Sequence, residues 1–233
     1  MKLGIMQPYF FPYIGYFQLI NVVDTFVIYD NIEFSKRGWF RRNRILVNGQ
    51  DTWISLPIKH DSDYLNVNER FLAENYQEKK MKLLRTIENA YIKAPYFKDI
   101  FPIIERSLNF ENDNLFDFLY HSIITIINYL EINTNIMISS KVNIDHSKKG
   151  VDKVLALIEK LGADVYINPI GGKELYKRNN FLQKDIELKF IKTKDIKYKQ
   201  FDNKFVPFLS IIDVMMFNSK EKINEMLTQY NLE

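Results

Sequence analysis

The sequence contains no cysteine. That absence removes a disulfide framework, a thiolate metal site and a thiol nucleophile together. Histidine is nearly as scarce: His60, His121 and His146 are the only three. No two of them stand at helical ligand spacing, so no metal-ligand set is expected. A surplus of one charge is missing too. Lys and Arg number 32 against 29 Asp and Glu, a formal charge of +3, which is too balanced for a chain that holds nucleic acid by bulk electrostatics. Long apolar runs are also lacking. The most hydrophobic stretch, Leu115 to Leu130, is interrupted by Asp117, His121 and Asn128 and is too short and polar to span a bilayer. The opening Met1-Lys2-Leu3-Gly4-Ile5-Met6-Gln7 meets Pro8 before any leader-like apolar run develops. The expectation is a cytoplasmic protein with no membrane span and no nucleic-acid partner.

What the chain does have is a substantial apolar fraction and many aromatic rings. Of its 233 residues, 46% are hydrophobic and 26% charged, an ordinary globular balance with enough material for a sizeable core. Aromatics reach 15%, with 18 Phe, 14 Tyr and 2 Trp. Most aromatic side chains fill cores, but Tyr and Trp join an apolar body to a polar tip and so also suit pockets for sugar rings or bases.

Hydrophobic periodicity predicts an α/β order. Leu3 to Met6 reads as a buried strand, Tyr13 to Val23 as a helix and Thr25 to Tyr29 as a second strand, the makings of a βαβ unit. Arg42 to Val47 and Thr52 to Ile58 flank Asn48-Gly49, a pair that tolerates positive φ and marks a hairpin. Helices follow over Tyr76 to Ile92, Tyr96 to Leu108 and Leu115 to Leu130. The α/β rhythm then returns: a strand at Ile136 to Ser139, a helix at Gly150 to Leu161 and a strand at Val165 to Asn168. A short helix from Lys173, a strand at Ile186 to Ile191, and helices over Phe208 to Phe217 and Lys220 to Tyr230 complete the reading. The expected fold class is α/β, with a mostly parallel, Rossmann-like sheet, a β-hairpin and a helical insertion near residues 70–133 inside one domain spanning 1–233. Two lobes with a cleft between them is the alternative.

Three segments could carry chemistry. The first is Gln7-Pro8-Tyr9-Phe10-Phe11-Pro12-Tyr13-Ile14-Gly15-Tyr16 at the end of the first strand, where open parallel sheets place ligands. Gln7 can donate and accept at once, and Tyr9, Tyr13 and Tyr16 offer an aromatic floor. A rigid aromatic turn buried in the core is the competing reading. The second is the basic hairpin, where Arg42 and Arg44, two apart, share a strand face and offer guanidinium forks to phosphate oxygens beside Trp39, Asn43 and Lys36. A solvated, charged edge strand would look the same. The third is Asn168-Pro169-Ile170-Gly171-Gly172-Lys173, where Gly171, Gly172 and Lys173 could open a helix onto an anion. The spacing is not that of a Walker A loop. Asp30 ends the second strand, a favoured place for a general base. Asp24 and Asp164 read as turn residues, Asp213 as buried, and His146 as a loop residue that could serve as acid or base.

Taken together, these segments resemble the WbqC-like family. The resemblance rests on Ile5 through Phe17, Val27-Ile28-Tyr29-Asp30, Lys36-Arg37-Gly38-Trp39, Arg42-Asn43-Arg44-Ile45, Ala94-Pro95-Tyr96-Phe97, Gly171-Gly172-Lys173, and Leu209-Ser210-Ile211-Ile212-Asp213 leading to Phe217-Asn218. The chain departs from many relatives at Met6, where they carry histidine, and at Arg41, where they carry asparagine. The resemblance implies a role in surface-polysaccharide (O-antigen) assembly on a small-molecule substrate, a nucleotide sugar or an acyl donor. Acyl or aminoacyl transfer to a nucleotide-linked amino sugar fits, with Asp30 and Gln7 as catalytic candidates and the aromatic, basic and glycine positions as the grip. No cofactor and no oligomeric state follow from it. A nucleotide-dependent ligase is the second class, although Tyr13-Ile14-Gly15-Tyr16 lacks the paired histidines of such turns. A non-catalytic carbohydrate-binding protein is the third.

Overall fold

The computed structural model describes residues 1–202 and 204–233. The first strand, β1 (Lys2–Met6), leads into helix α1 (Ile14–Val22), which ends where Val23 turns extended and delivers the chain to β2 (Thr25–Ile28). The hairpin β3 (Arg42–Val47) and β4 (Gln50–Ser55) stands apart from the main sheet and is closed by Asn48 and Gly49, at φ 50° and 77°. Positive φ at both turn residues matches the twist of the flanking strands, as a type I′ connection requires. Three helices follow: α2 (Tyr76–Tyr91), α3 (Phe97–Leu108) and α4 (Leu115–Leu130). Asn114 accepts a hydrogen bond from Asp117 N at the start of α4, and Glu131 closes that helix in a left-handed conformation. Then come β5 (Asn135–Ile138), α5 (Gly150–Leu161), β6 (Val165–Pro169), α6 (Arg178–Leu182), β7 (Glu187–Thr193), α7 (Ile211–Phe217), α8 (Lys220–Met226) and β8 (Tyr230–Leu232).

The main sheet has the order β5-β2-β1-β6-β7-β8, parallel except for β8, which runs antiparallel to β7. The chain steps outward from β1 to β2 and β5, then returns to the other side of β1 for β6 and β7. Numbered in chain order, the five parallel strands read 3-2-1-4-5, the order of a doubly wound sheet whose direction reverses between β1 and β6.

Strand alternation sends neighbouring side chains to opposite cores. Leu3 and Ile5 of β1, Val27 of β2, Tyr166 of β6 and Phe190 of β7 pack with Val154, Leu157 and Ile158 of α5. Phe26 and Ile28 of β2, Ile167 of β6 and Ile191 of β7 join Phe17, Leu19 and Ile20 of α1 on the other face. Gly4 belongs to that second face because a Cβ there would stand 3.1 Å from the Phe26 ring and 3.3 Å from Leu19. Behind α1, α3 packs on α7 and α4 on α8, while α2 lies against β3. No helix among the described residues is long and apolar enough to cross a membrane.

Three predicted elements differ. The last helix stops at Met226, and Tyr230, expected within it, begins β8 instead. The Tyr230 and Thr193 pairing satisfies the open edge of β7, a long-range demand that local spacing cannot register. The helix expected from Phe208 starts at Ile211, because the Ser210 hydroxyl caps it by accepting from Ile212 N, and Phe208 lies outside at φ 56°. The helix expected from Lys173 is a 3-10 stretch, Ile170–Leu175, with no buried residue, and without an apolar face it has nothing to pack an α-helix against.

Candidate functional site

A cavity of about 900 Å³ opens beyond the carboxyl ends of β1 and β6, at the point where the strand order reverses. Its wall draws on all three segments singled out above: Gln7, Tyr9 and Tyr13 after β1; Trp39, Asn43 and Arg44 of the hairpin; and Gly171 and Gly172 beyond β6. The amino end of α5 contributes Gly150, Val151 and Val154, and Tyr29, Asn168, Leu175, Tyr176 and Phe208 are among the other lining residues.

One side chain joins the first two segments. Asn43 is buried on β3, and its Nδ2 donates to the carbonyls of Phe10 (3.0 Å) and Phe11 (2.7 Å) while its Oδ1 accepts from Arg44 N (2.8 Å). Phe11 sits in the left-handed region at φ 42°, and its carbonyl also accepts from Ser210 Oγ at 2.8 Å. Such a backbone costs about 1–3 kcal/mol and persists only where its surroundings impose it. Asn43, expected to touch substrate, therefore has its amide committed to the backbone of the Gln-Pro loop.

The tyrosines are hydrogen-bond donors here. Burial pushes the Tyr13 and Tyr29 hydroxyls up to about 12, and raises Tyr9 and Tyr176 as well. All four keep their protons at neutral pH. Gln7 Nε2 donates to the Tyr9 hydroxyl at 3.2 Å, which leaves the Tyr9 proton free. Tyr13 lies over Gly15, where a Cβ would stand 2.3 Å from the ring and 2.7 Å from Thr193 Oγ1. That glycine lets α1 approach β7 and lets the Tyr13 ring turn toward the cavity.

The rim is cationic and aromatic. Arg44 pairs with Asp51 at 2.8 Å and reaches the Phe208 carbonyl at 3.4 Å. Its guanidinium carbon lies 6.0 Å from the Trp39 ring and 5.8 Å from the Trp53 ring, and the two indoles are 5.5 Å apart. A half-exposed pair such as Arg44 and Asp51 contributes only about 0–1 kcal/mol, so the arginine can exchange partners cheaply. Arg44 is the sole cation among the described residues of the lining, which contains no Asp, Glu, His or Lys.

Several predicted site residues lie elsewhere. Arg42 packs over Trp53, 4.6 Å from the ring centroid, and donates to the Arg37 carbonyl, away from the lining. Lys36 pairs with Asp63 at 2.7 Å on an open surface. Lys173 pairs with Glu233 at 3.3 Å, and the short 3-10 stretch that holds it offers no α-helical N-terminus to an anion. Tyr16 is core, edge-on to Phe17 and Phe26, and touches the site only through its neighbour Tyr9. Asp30 is buried outside the lining, and its carboxylate accepts from Ser139 Oγ (2.7 Å), Ser140 N (2.9 Å) and Asn68 Nδ2 (2.8 Å). Three donors on one carboxylate describe a tie between loops. His146 is likewise engaged, with Nε2 donating to the Val142 carbonyl and Nδ1 accepting from Asn31, both at 3.0 Å.

Two side chains had no role of their own in the expected site: Asn168, which opens the third segment, and Lys153, which belongs to none of the three. Asn168 is the last residue but one of β6 and is 6% exposed, its Oδ1 accepting from Tyr166 and its Nδ2 donating to the Pro169 carbonyl. Its position at a strand end was the available signal. Lys153 is buried on α5 next to the lining residue Val154, donating to the Asn31 carbonyl at 3.2 Å with its ammonium 5.2 Å from the Tyr29 ring. Burial pulls its pKa down and Asp30 opposes that. No cluster of His, Cys, Asp and Glu able to hold a metal occurs among the described residues.

Comparison with known proteins gives one family and one relative. The model of the WbqC-like protein family matches residues 7–225. The uncharacterized protein Rv1507c of Mycobacterium tuberculosis is 26% identical over 219 residues, covering 93% of each chain. No solved structure gives a significant match.

Proposed function

The chain belongs to the WbqC-like protein family, and from that premise we propose that its cavity binds a nucleotide-linked amino sugar and transfers an acyl or aminoacyl group to the sugar amine. The observation that carries this reading is the placement of an aromatic cavity with one rim arginine beyond the carboxyl ends of β1 and β6, where the strand order turns back. Nucleotides occupy that crevice in doubly wound sheets generally, so this part of the warrant is an analogy of fold.

The lining chemistry suits the reaction. With no carboxylate, imidazole or ammonium among the described residues of the wall, a nucleophile needing prior deprotonation by a side chain is poorly served. A sugar amine in its neutral form needs none. It attacks the acyl carbon of an activated donor such as a thioester, and the C–N bond forms as the carbonyl oxygen takes up negative charge; the carbonyl then re-forms and expels the donor's thiolate, which takes the amine's surplus proton directly or through water. A neutral donor aimed at the developing oxyanion would stabilise that charge, and the Tyr9 hydroxyl, whose proton is left free by the bond it accepts from Gln7 Nε2, can serve as one. The family resemblance supplies the setting, assembly of surface polysaccharide.

A nucleotide-dependent ligase draws on the same strand order, but the start of α1 reads Tyr13-Ile14-Gly15-Tyr16, without histidines to steady a transferring phosphoryl group. A thermal-shift panel of nucleotide-linked amino sugars, free sugars, ATP and coenzyme A tests the choice. A ligand at about 100 times its dissociation constant adds about 2.7 kcal/mol. Stabilisation by a nucleotide-linked amino sugar and not by ATP is expected; stabilisation by ATP alone would favour the ligase, and no response to any nucleotide sugar would overturn the proposal.

A further inference from the structure

The polar groups of the cavity are segregated by charge. Its inner end, at the tips of β1 and β6, carries two carboxamides, Gln7 and Asn168, on neighbouring parallel strands. Each is only partly used. Asn168 spends one amide hydrogen on the Pro169 carbonyl and one lone pair on the Tyr166 hydroxyl, leaving one donor and one acceptor. Gln7 spends one amide hydrogen on Tyr9, leaving a donor and its carbonyl oxygen. The cation, Arg44, lies instead at the rim with Trp39 and the exposed Phe208.

Asn168 is held in place with little freedom. It is buried, bonded at both ends of its amide, and backed by Gly172, where a Cβ would stand 2.3 Å from Asn168 Nδ2. A buried amide with spare donor and acceptor capacity discriminates strongly, because a ligand that fails to pair leaves those groups unsatisfied.

We infer that Asn168, with Gln7, is the specificity determinant for the glycosyl end of the ligand, which enters first, while the diphosphate stays at the rim against Arg44. Two amides in this arrangement match an uncharged edge that offers donors and acceptors together, such as adjacent amine and hydroxyl groups on a pyranose. They offer no net charge to neutralise a phosphate, whereas the Arg44 fork does. The inference rests on the nucleotide-sugar reading above and fixes which end of that ligand goes where.

The experiment is calorimetric titration of the wild type, Asn168→Ala and Arg44→Ala with two probes: a UDP- or dTDP-linked amino hexose, and the matching bare nucleoside diphosphate. Asn168→Ala should weaken the sugar nucleotide about tenfold or more and leave the bare diphosphate unaffected. Arg44→Ala should weaken both. Should Asn168→Ala fold poorly, Asn168→Ser serves in its place, read against the same two probes. Equal losses for both probes in the asparagine variant, or no loss for either, would overturn the orientation while sparing the proposed ligand. Absence of binding by the wild type would instead defeat the nucleotide-sugar reading, and this inference with it.

Discussion

Gly172 leaves vacant the space that the Asn168 amide occupies: a Cβ at position 172 would fall 2.3 Å from Nδ2, whereas one at Gly171 would meet nothing within 4 Å. The two neighbouring glycines, alike in sequence, therefore have different tolerances. Gly172→Ala should cost about 1–3 kcal/mol by forcing a bonded, buried amide to move, and Gly171→Ala should stay within about 0.5 kcal/mol. Urea denaturation of both variants checks this, and equal costs would contradict the placement of Asn168.

Asp30→Asn separates a structural carboxylate from a catalytic one. The substitution turns one acceptor oxygen into a donor facing Ser139, Ser140 or Asn68, a mismatch costing about 1–3 kcal/mol. Turnover measured well below the melting transition should fall by no more than about threefold, against the about 100-fold or greater loss expected on removing a general base. A loss of that larger size with the fold intact would return Asp30 to the role of proton acceptor.

Asp213 gives the protein a pH signature. Burial raises its pKa, and hydrogen bonds from Tyr198, Gln200 and Tyr91 pull it back down without cancelling the rise. A folded-state pKa above the unfolded value of about 3.9 means the native state binds that proton more tightly. Its stabilising effect is complete below the unfolded pKa and is lost as pH rises through the folded one. Asp213→Asn removes the titration, so the stability of the wild type relative to this variant should decline as pH rises above the unfolded value and through the raised folded one. Denaturation curves showing a relative stability that grows with pH would contradict the sign.

Asn43→Ala should loosen the Gln-Pro loop as well as the fold. It leaves the carbonyls of Phe10 and Phe11 without their shared donor, at a cost of about 1–3 kcal/mol. Trp39 backs the same loop through the Phe10 N to Trp39 O bond of 2.9 Å, so tryptophan fluorescence should shift with the loss of stability. A destabilised variant with an unchanged spectrum would mean that the loop holds its shape by other contacts.

What could be read from the sequence were the features set locally. Asn48-Gly49 specifies its turn through the φ values those residues tolerate, and the apolar runs at Leu3 to Met6 and Val165 to Asn168 match β1 and β6 closely. The three lining segments were also marked by residue type, since amides, paired arginines and glycines stand out at strand ends. What escaped depends on partners distant in the chain. Tyr230 to Leu232 becomes a strand only because β7 offers an edge. The hydrogen bonds that Asp30 accepts from Asn68 and Ser139 come from other loops and leave no local mark in the sequence. The sequence also cannot distinguish Arg44, which lines the cavity, from Arg42, which shares its strand face but packs over Trp53.

The double hold of Asn43 on Phe10 and Phe11 ties the Gln-Pro loop to the arginine ribbon. The opposite side, Ile170–Leu175, buries none of its residues. Amides of that unburied stretch should therefore exchange with solvent ahead of those along β3.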